Sequence, residues 1–99
     1  MSSSSNTSAQ RLSARITGRV QGVGFRHFTR TTAQQHGLTG WVRNEPDGSV
    51  RLEAEGPQAD LESLLDAVHS GPQSARVDSV DAEWKASTDT FNQFEVRYA

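Results

Sequence analysis

The sequence predicts an α+β domain. We expect a mainly antiparallel sheet with two helices on one face, in the ferredoxin-like split βαβ order β-α-β-β-α-β plus a short C-terminal strand. Three observations predict it. Strand-like alternation and helical spacing succeed one another in that order. Each helical segment carries a single apolar stripe. The two middle strands are separated only by a short Pro/Gly turn, which makes them a hairpin.

The first ten residues, from Met1 to Gln10, are Ser-rich and polar, and are expected to form a disordered tail ahead of a domain spanning 11–99. Leu12, Ala14, Ile16, Gly18 and Val20 alternate with Ser13, Arg15, Thr17 and Arg19, the pattern of a half-buried strand. Gln21-Gly22-Val23-Gly24 makes a loop, and Phe25 through His36 reads as a helix with Phe25, Phe28, Thr32 and His36 at helical spacing. Gly37 supplies its stop. Leu38 through Asn44 is the second strand, and Glu45-Pro46-Asp47-Gly48 the turn. Val50, Leu52 and Ala54 then alternate with Arg51, Glu53 and Glu55, which are expected to face solvent. Gly56-Pro57 opens the second helix, where Leu61, Leu64, Leu65 and Val68 give i, i+3, i+4, i+7. Ser70-Gly71-Pro72 ends it. Val80, Ala82 and Trp84 mark a fourth strand, a turn follows around Ser87–Thr90, and Phe94, Val96 and Tyr98 mark a short last strand.

Composition narrows the function. The 99 residues suit one domain. Absence of cysteine excludes disulfides, thiolate metal sites and a cysteine nucleophile. No apolar run nears the ~20 residues of a membrane span. The N-terminus has neither the basic region nor the apolar core of a secretory signal, so a cytoplasmic protein, expected to be a monomer without membrane partners, is the default. Charge is uneven: residues 1–44 carry six arginines and no acid, whereas residues 45–99 carry all twelve acids against four bases. A basic first half suits an anionic ligand. It also suits two halves that interleave and neutralise each other. The pI near 5.8 argues against a nucleic-acid partner.

The chemistry concentrates in Gly18-Arg19-Val20-Gln21-Gly22-Val23-Gly24-Phe25-Arg26, which runs from a strand through a glycine loop into a helix. Successive N–H groups of such a loop can form a nest for an anion, and the helix N-terminus adds more. The same pattern serves a plain tight connection. It is neither a Walker A loop nor a dinucleotide fingerprint, since no Gly-Lys-Ser/Thr follows. Arg26 would sit in the first helical turn, opposing the macrodipole by roughly 0.3–1 kcal/mol unless an oxyanion lies there. Asn44, ending the second strand, can hold and aim a water or simply start the turn. In a split βαβ fold the ends of the first two strands lie on the same side of the sheet, so Asn44 can face the loop. His27 is a weaker candidate, while His36 and His69 suit helix C-termini. Asp60, Glu62, Asp66, Asp78, Asp81 and Glu83 read as solvated, and Trp41 and Trp84 as packing residues. No histidine pair has metal-site spacing, so neither metal nor cofactor is expected.

Two blocks together resemble the acylphosphatase family. Ile16-Thr17-Gly18-Arg19-Val20-Gln21-Gly22-Val23-Gly24-Phe25-Arg26 resembles its first signature, and Gly40-Trp41-Val42-Arg43-Asn44 with Gly48, Val50 and Gly56 its second. The resemblance covers about residues 11–98; Ala99 extends one residue beyond the tyrosine where many members end. It implies hydrolysis of a small-molecule acyl phosphate to a carboxylate and inorganic phosphate, with phosphate or another oxyanion as product or inhibitor. It implies that the backbone of Gln21, Gly22, Val23, Gly24, Phe25 and Arg26 binds the phosphoryl oxygens with the Arg26 side chain, and that Asn44 orients the attacking water. Similar domains occur fused to hydrogenase-maturation carbamoyltransferases, so a ligand-binding module of a larger assembly is the alternative. A third reading, an RNA-binding module on this strand order, needs exposed aromatics on the central strands where this sequence has Arg51, Glu53 and Glu55.

Overall fold

The computed structural model describes residues 9–98; of the polar tail expected over residues 1–10, residues 1–8 lie outside the described residues, whereas Ala9 and Gln10 already belong to the first strand, where they pair with Pro57 and Gly56. The chain forms β1 (Ala9–Arg19), α1 (Phe25–Gln35), β2 (Thr39–Asn44), β3 (Val50–Pro57), α2 (Gln58–Ser70), β4 (Arg76–Ala86) and β5 (Phe94–Arg97). The sheet order is β4-β1-β3-β2-β5, antiparallel except for the β2–β5 pair. This is the expected ferredoxin-like sandwich. No helix among the described residues is long and apolar enough to cross a membrane.

Period-two alternation sends Leu12, Ala14 and Ile16 of β1, with Val50, Leu52 and Ala54 of β3, into one core against Phe25, Ala33, Leu61, Leu64 and Val68 of the helices. The α1 stripe differs from the expected one. Phe25, Thr29 and Ala33 are its buried residues, not Phe28, Thr32 and His36. Thr29 is tolerated inside because its hydroxyl donates to the Phe25 carbonyl at 2.9 Å, and its small size lets the helix approach the sheet. His36 instead meets Asp60 of α2 at 3.1 Å, tying the two helices together.

The second correction concerns β3. Glu53 and Glu55 are buried, at 2% and 4% exposure. Arg11 donates to Glu53 at 2.7 Å, Arg51 at 3.1 Å, and the Ser13 hydroxyl also donates to it. Glu55 accepts the backbone N–H groups of Thr88 (2.8 Å) and Asp89 (2.9 Å) and the Ser87 hydroxyl (2.9 Å). The face away from the helices is therefore covered by its own charged network and by the segment after β4. Trp41 is 7% exposed beneath the guanidinium groups of Arg43, Arg97 and Arg51, so it offers no stacking platform. Trp84, on edge strand β4, is 39% exposed.

β1 and β2 are each antiparallel to β3, so they run parallel to one another and end on the same side of the sheet. A register shift between Thr17 and Gly18 kinks β1, which leaves β3 after Ile16 but stays paired with β4 through Arg19 and Arg76 as it enters the loop. Residues 20–26 and Asn44 are thus brought to one end of the molecule.

Burial pushes the Glu53 carboxyl up, but the hydrogen bonds from Ser13, Arg11 and Arg51 outweigh it and hold the group below its usual value of 4.5. Glu55 is held down in the same way by Thr88 and Ser87. Asp47, bonded by the Ser49 hydroxyl and N–H and then by Arg15, is held at about 2. A depressed native pKa contributes stability that is present above the unfolded value and lost as pH falls through the native one. Thermal stability should therefore decline as pH drops below about 4.5. In Glu53→Gln the decline should be shallower, with about 1–3 kcal/mol lost at neutral pH from weakened pairing, readable by urea unfolding at several pH values.

Candidate active site

The loop between β1 and α1 is built on Gly22 and Gly24, at φ 73° and 80°. A Cβ at either position would meet nothing within 4 Å, so it is the backbone angle, not space, that calls for glycine. Positive φ at alternate residues turns neighbouring N–H groups toward one side, the geometry of an anion nest. Among the described residues none accepts a hydrogen bond from the backbone N–H groups of residues 21–27; the first donor of the helix is Phe28, to Gly24 at 3.0 Å. Gly24 is the N-cap and offers no side-chain cap, and the first turn holds no acid. The loop thus ends in a helix N-terminus with its donors unspent and its positive dipole end uncompensated.

The Gln21 side chain fixes this loop. Its Nε2 donates to the carbonyls of Glu45 (2.8 Å) and Ser49 (2.9 Å), clamping the β1–α1 loop to the two ends of the β2–β3 turn. The turn itself is closed by Glu45 N–H to the Ser49 carbonyl at 2.8 Å. Asn44 immediately precedes it, paired with Val50 across the hairpin. Asn44 Oδ1 is buried and has no hydrogen-bond partner among the described residues. Such an atom is costly in a folded protein while it stays unpaired.

Arg26, Asn44, Gly22 and Gly24 line one cleft, with Val20, Phe25, Val96 and Tyr98 supplying its apolar wall and His27 and Arg30 its rim. The cleft measures about 290 Å³, just below the roughly 300–1,000 Å³ of ligand sites, enough for a small ligand. Arg26 packs over the Tyr98 ring at 5.0 Å and pairs with no carboxylate among the described residues. Any contact from Ala99 lies outside the described residues. His27 lies at the cleft, 3.4 Å from Arg30 by its Nδ1, whereas His69 is exposed in the last turn of α2. No three His, Asp or Glu side chains cluster as a metal site among the described residues.

Sequence reasoning pointed to Arg26, Asn44 and the loop backbone; the fold places Arg26, Asn44, Gly22, Gly24 and Phe25 on one cleft, whereas Gln21 and Val23 do not line it. It missed the side-chain clamp of Gln21, the Tyr98 ring under Arg26, and Arg30. Only Arg30 left a usable signal, a second arginine at i+4 from Arg26.

An uncapped helix end with free N–H donors beside an arginine, on a ferredoxin-like sandwich, has the chemistry to suit a small oxyanion. The comparisons make it particular. The acylphosphatase family model matches residues 12–96. An acylphosphatase of Salinibacter ruber is 65% identical over 88 residues, covering 89% of this chain and 93% of that one. The crystal structure of acylphosphatase from Bacillus subtilis matches with a TM-score of 0.87 and 36% identity, over 90% of this chain and 99% of that one. Full-length HypF in a phosphate- and nucleotide-bound form matches with a TM-score of 0.81 and 26% identity, over 92% of this chain but 12% of that one. This chain belongs to the acylphosphatase family, hydrolases of acyl phosphates.

Removing the clamp tests how far the site depends on it. Gln21→Ala should cost about 1–3 kcal/mol in urea unfolding, because two backbone carbonyls lose their shared donor. It should also weaken inorganic phosphate as an inhibitor, since the loop is no longer held.

Proposed function

We propose that this chain hydrolyses acyl phosphates with Arg26 and Asn44 as its catalytic residues and the backbone N–H groups of Gln21, Gly22, Val23, Gly24, Phe25 and Arg26 as its phosphoryl cup. The observation that carries the reading is the run of unpaired donors from 21 to 27 beside an arginine without a carboxylate partner among the described residues. Donors and guanidinium together match a phosphoryl dianion.

The chemistry asks little more. In a loose phosphoryl-transfer transition state the protein positions groups and stabilises charge on three equatorial oxygens. The cup and Arg26 do so from fixed positions, so no reorganisation is needed as charge shifts. Tyr98 packs against the guanidinium and limits where it can swing. The unpartnered Asn44 Oδ1 accepts a hydrogen bond from the attacking water and aims its lone pair at phosphorus. The carboxylate leaves readily and needs no general acid. The water proton passes to a phosphoryl oxygen of the substrate, because neither Arg26 nor Asn44 can take it at neutral pH. The P–O bond to the acyl group breaks, the P–O bond to water forms, and the products are a carboxylate and inorganic phosphate. The reading carries a monomer acting in the cytoplasm, without metal.

Arg26→Ala should lower turnover of benzoyl phosphate by roughly 10²–10³-fold, the size seen when one preorganised donor is removed. Near-normal turnover by that variant would refute the role. Asn44→Ala should lower kcat while leaving inhibition by inorganic phosphate close to wild type. A large rise in the phosphate inhibition constant would make Asn44 a binding group instead. Activity should survive EDTA; its abolition by chelator, with recovery on adding a divalent metal, would overturn the metal-free scheme.

A further inference from the structure

The fold treats its nine arginines unequally. Arg11, Arg15, Arg43, Arg51, Arg76 and Arg97 each pair with a carboxylate. Arg19, Arg26 and Arg30 pair with none among the described residues, and two of these three line the catalytic cleft. Arg26 is accounted for by the phosphoryl group. Arg30 is not. It sits one helical turn further along α1, partly buried, with its Nη2 3.4 Å from His27 Nδ1. Like charges at i and i+4 repel, and α1 contains no acid to offset them. A single phosphoryl group is already served by the loop donors and Arg26. The cleft between them continues along Val20, Val96 and Tyr98, an apolar surface suited to the carbon skeleton of an acyl group.

We infer that Arg30, steadied by His27, is a specificity-determining residue that receives a carboxylate carried on the acyl part of the substrate. The preferred substrates are then acyl phosphates of dicarboxylic type, with the second carboxylate a few bonds from the reacting carbonyl. This rests on the phosphoryl group occupying the cup beside Arg26. His27 Nδ1 lies 3.4 Å from Arg30 Nη2, where it can accept from the guanidinium and orient it.

The test compares kcat/KM for benzoyl phosphate, 3-carboxybenzoyl phosphate and the uncharged 3-carbamoylbenzoyl phosphate in wild type, Arg30→Gln and Arg30→Glu. Wild type should prefer the carboxyl over the carbamoyl substrate by about tenfold, the size of one charge-assisted hydrogen bond. Arg30→Gln should bring that ratio near one, and Arg30→Glu should invert it. Each preference is a ratio within one variant, so any loss of folded protein cancels. Absence of a wild-type preference would overturn the inference. So would an equal loss on all three substrates in Arg30→Gln, because Arg30 would then act on the phosphoryl group. Arg26→Ala separates the two readings: if it retains full turnover of benzoyl phosphate, the cup assignment fails, whatever ratio Arg30 sets.

Discussion

The N-terminus of α1 is left unfinished by the protein, and the rest of the site follows from that. Its donors have no acceptor among the described residues, its N-cap has no side-chain cap, and its first turn holds an arginine where an acid would be favourable. Glycine in place of a capping side chain costs a few tenths of a kcal/mol, a cation in the first turn roughly 0.3–1 kcal/mol, and a glycine about 0.5–1 kcal/mol in ordering entropy. Each term is small, but all fall within six residues, and a dianion among the N–H groups would relieve the first two, though not the entropy of the glycines. Instability placed where a ligand binds is what separates a binding loop from a tight connection. The two were indistinguishable from glycine spacing alone.

Such a loop needs a rigid frame, and the sheet supplies it. The parallel course of β1 and β2 puts the loop and Asn44 on one side, and the Gln21 amide sets the distance between them through two carbonyls. On the open face Glu53 and Glu55 are held by arginines, hydroxyls and backbone N–H groups, which locks β1, β3 and the segment after β4 together. The uneven charge of the two halves thereby resolves into both of its readings. Arg11 and Arg15 from the basic half are neutralised by acids of the other half, whereas Arg26 and Arg30 line the cleft without a carboxylate partner among the described residues.

The sheet, both helices, the hairpin and the loop were legible because alternation and helical spacing report which face meets the core. Less was legible where burial has another cause. Glu53 and Glu55 lie on the polar phase of β3, and alternation assigns that phase to solvent. Their burial depends on Arg11, forty-two residues from Glu53, and on the turn near Thr88. The α1 stripe was misread because Thr29 and Ala33 are small, and an aromatic at Phe28 outweighs them in any hydrophobic count although it lies off the core. At the site, the loop and Asn44 carried signals of residue type and position. The Gln21 clamp and the Arg26–Tyr98 stack are long-range contacts that no local pattern announces.

Why the residue at the end of β2 is an amide can be argued from the same electrostatics. A carboxylate at position 44 would be a better base, but it would sit in the cleft proposed to receive a phosphoryl dianion, and like charges at such range repel by kilocalories in a partly dry site. A histidine would add a proton equilibrium near neutral pH to a reaction whose leaving group needs no acid. Asparagine supplies an acceptor for water without charge. Its cost is the desolvated Oδ1, about 1–3 kcal/mol while no partner is bound. The absence of any acid from residues 1–44 extends that logic from one position to the loop-bearing half of the chain: every side chain that this half contributes around the loop is neutral or cationic.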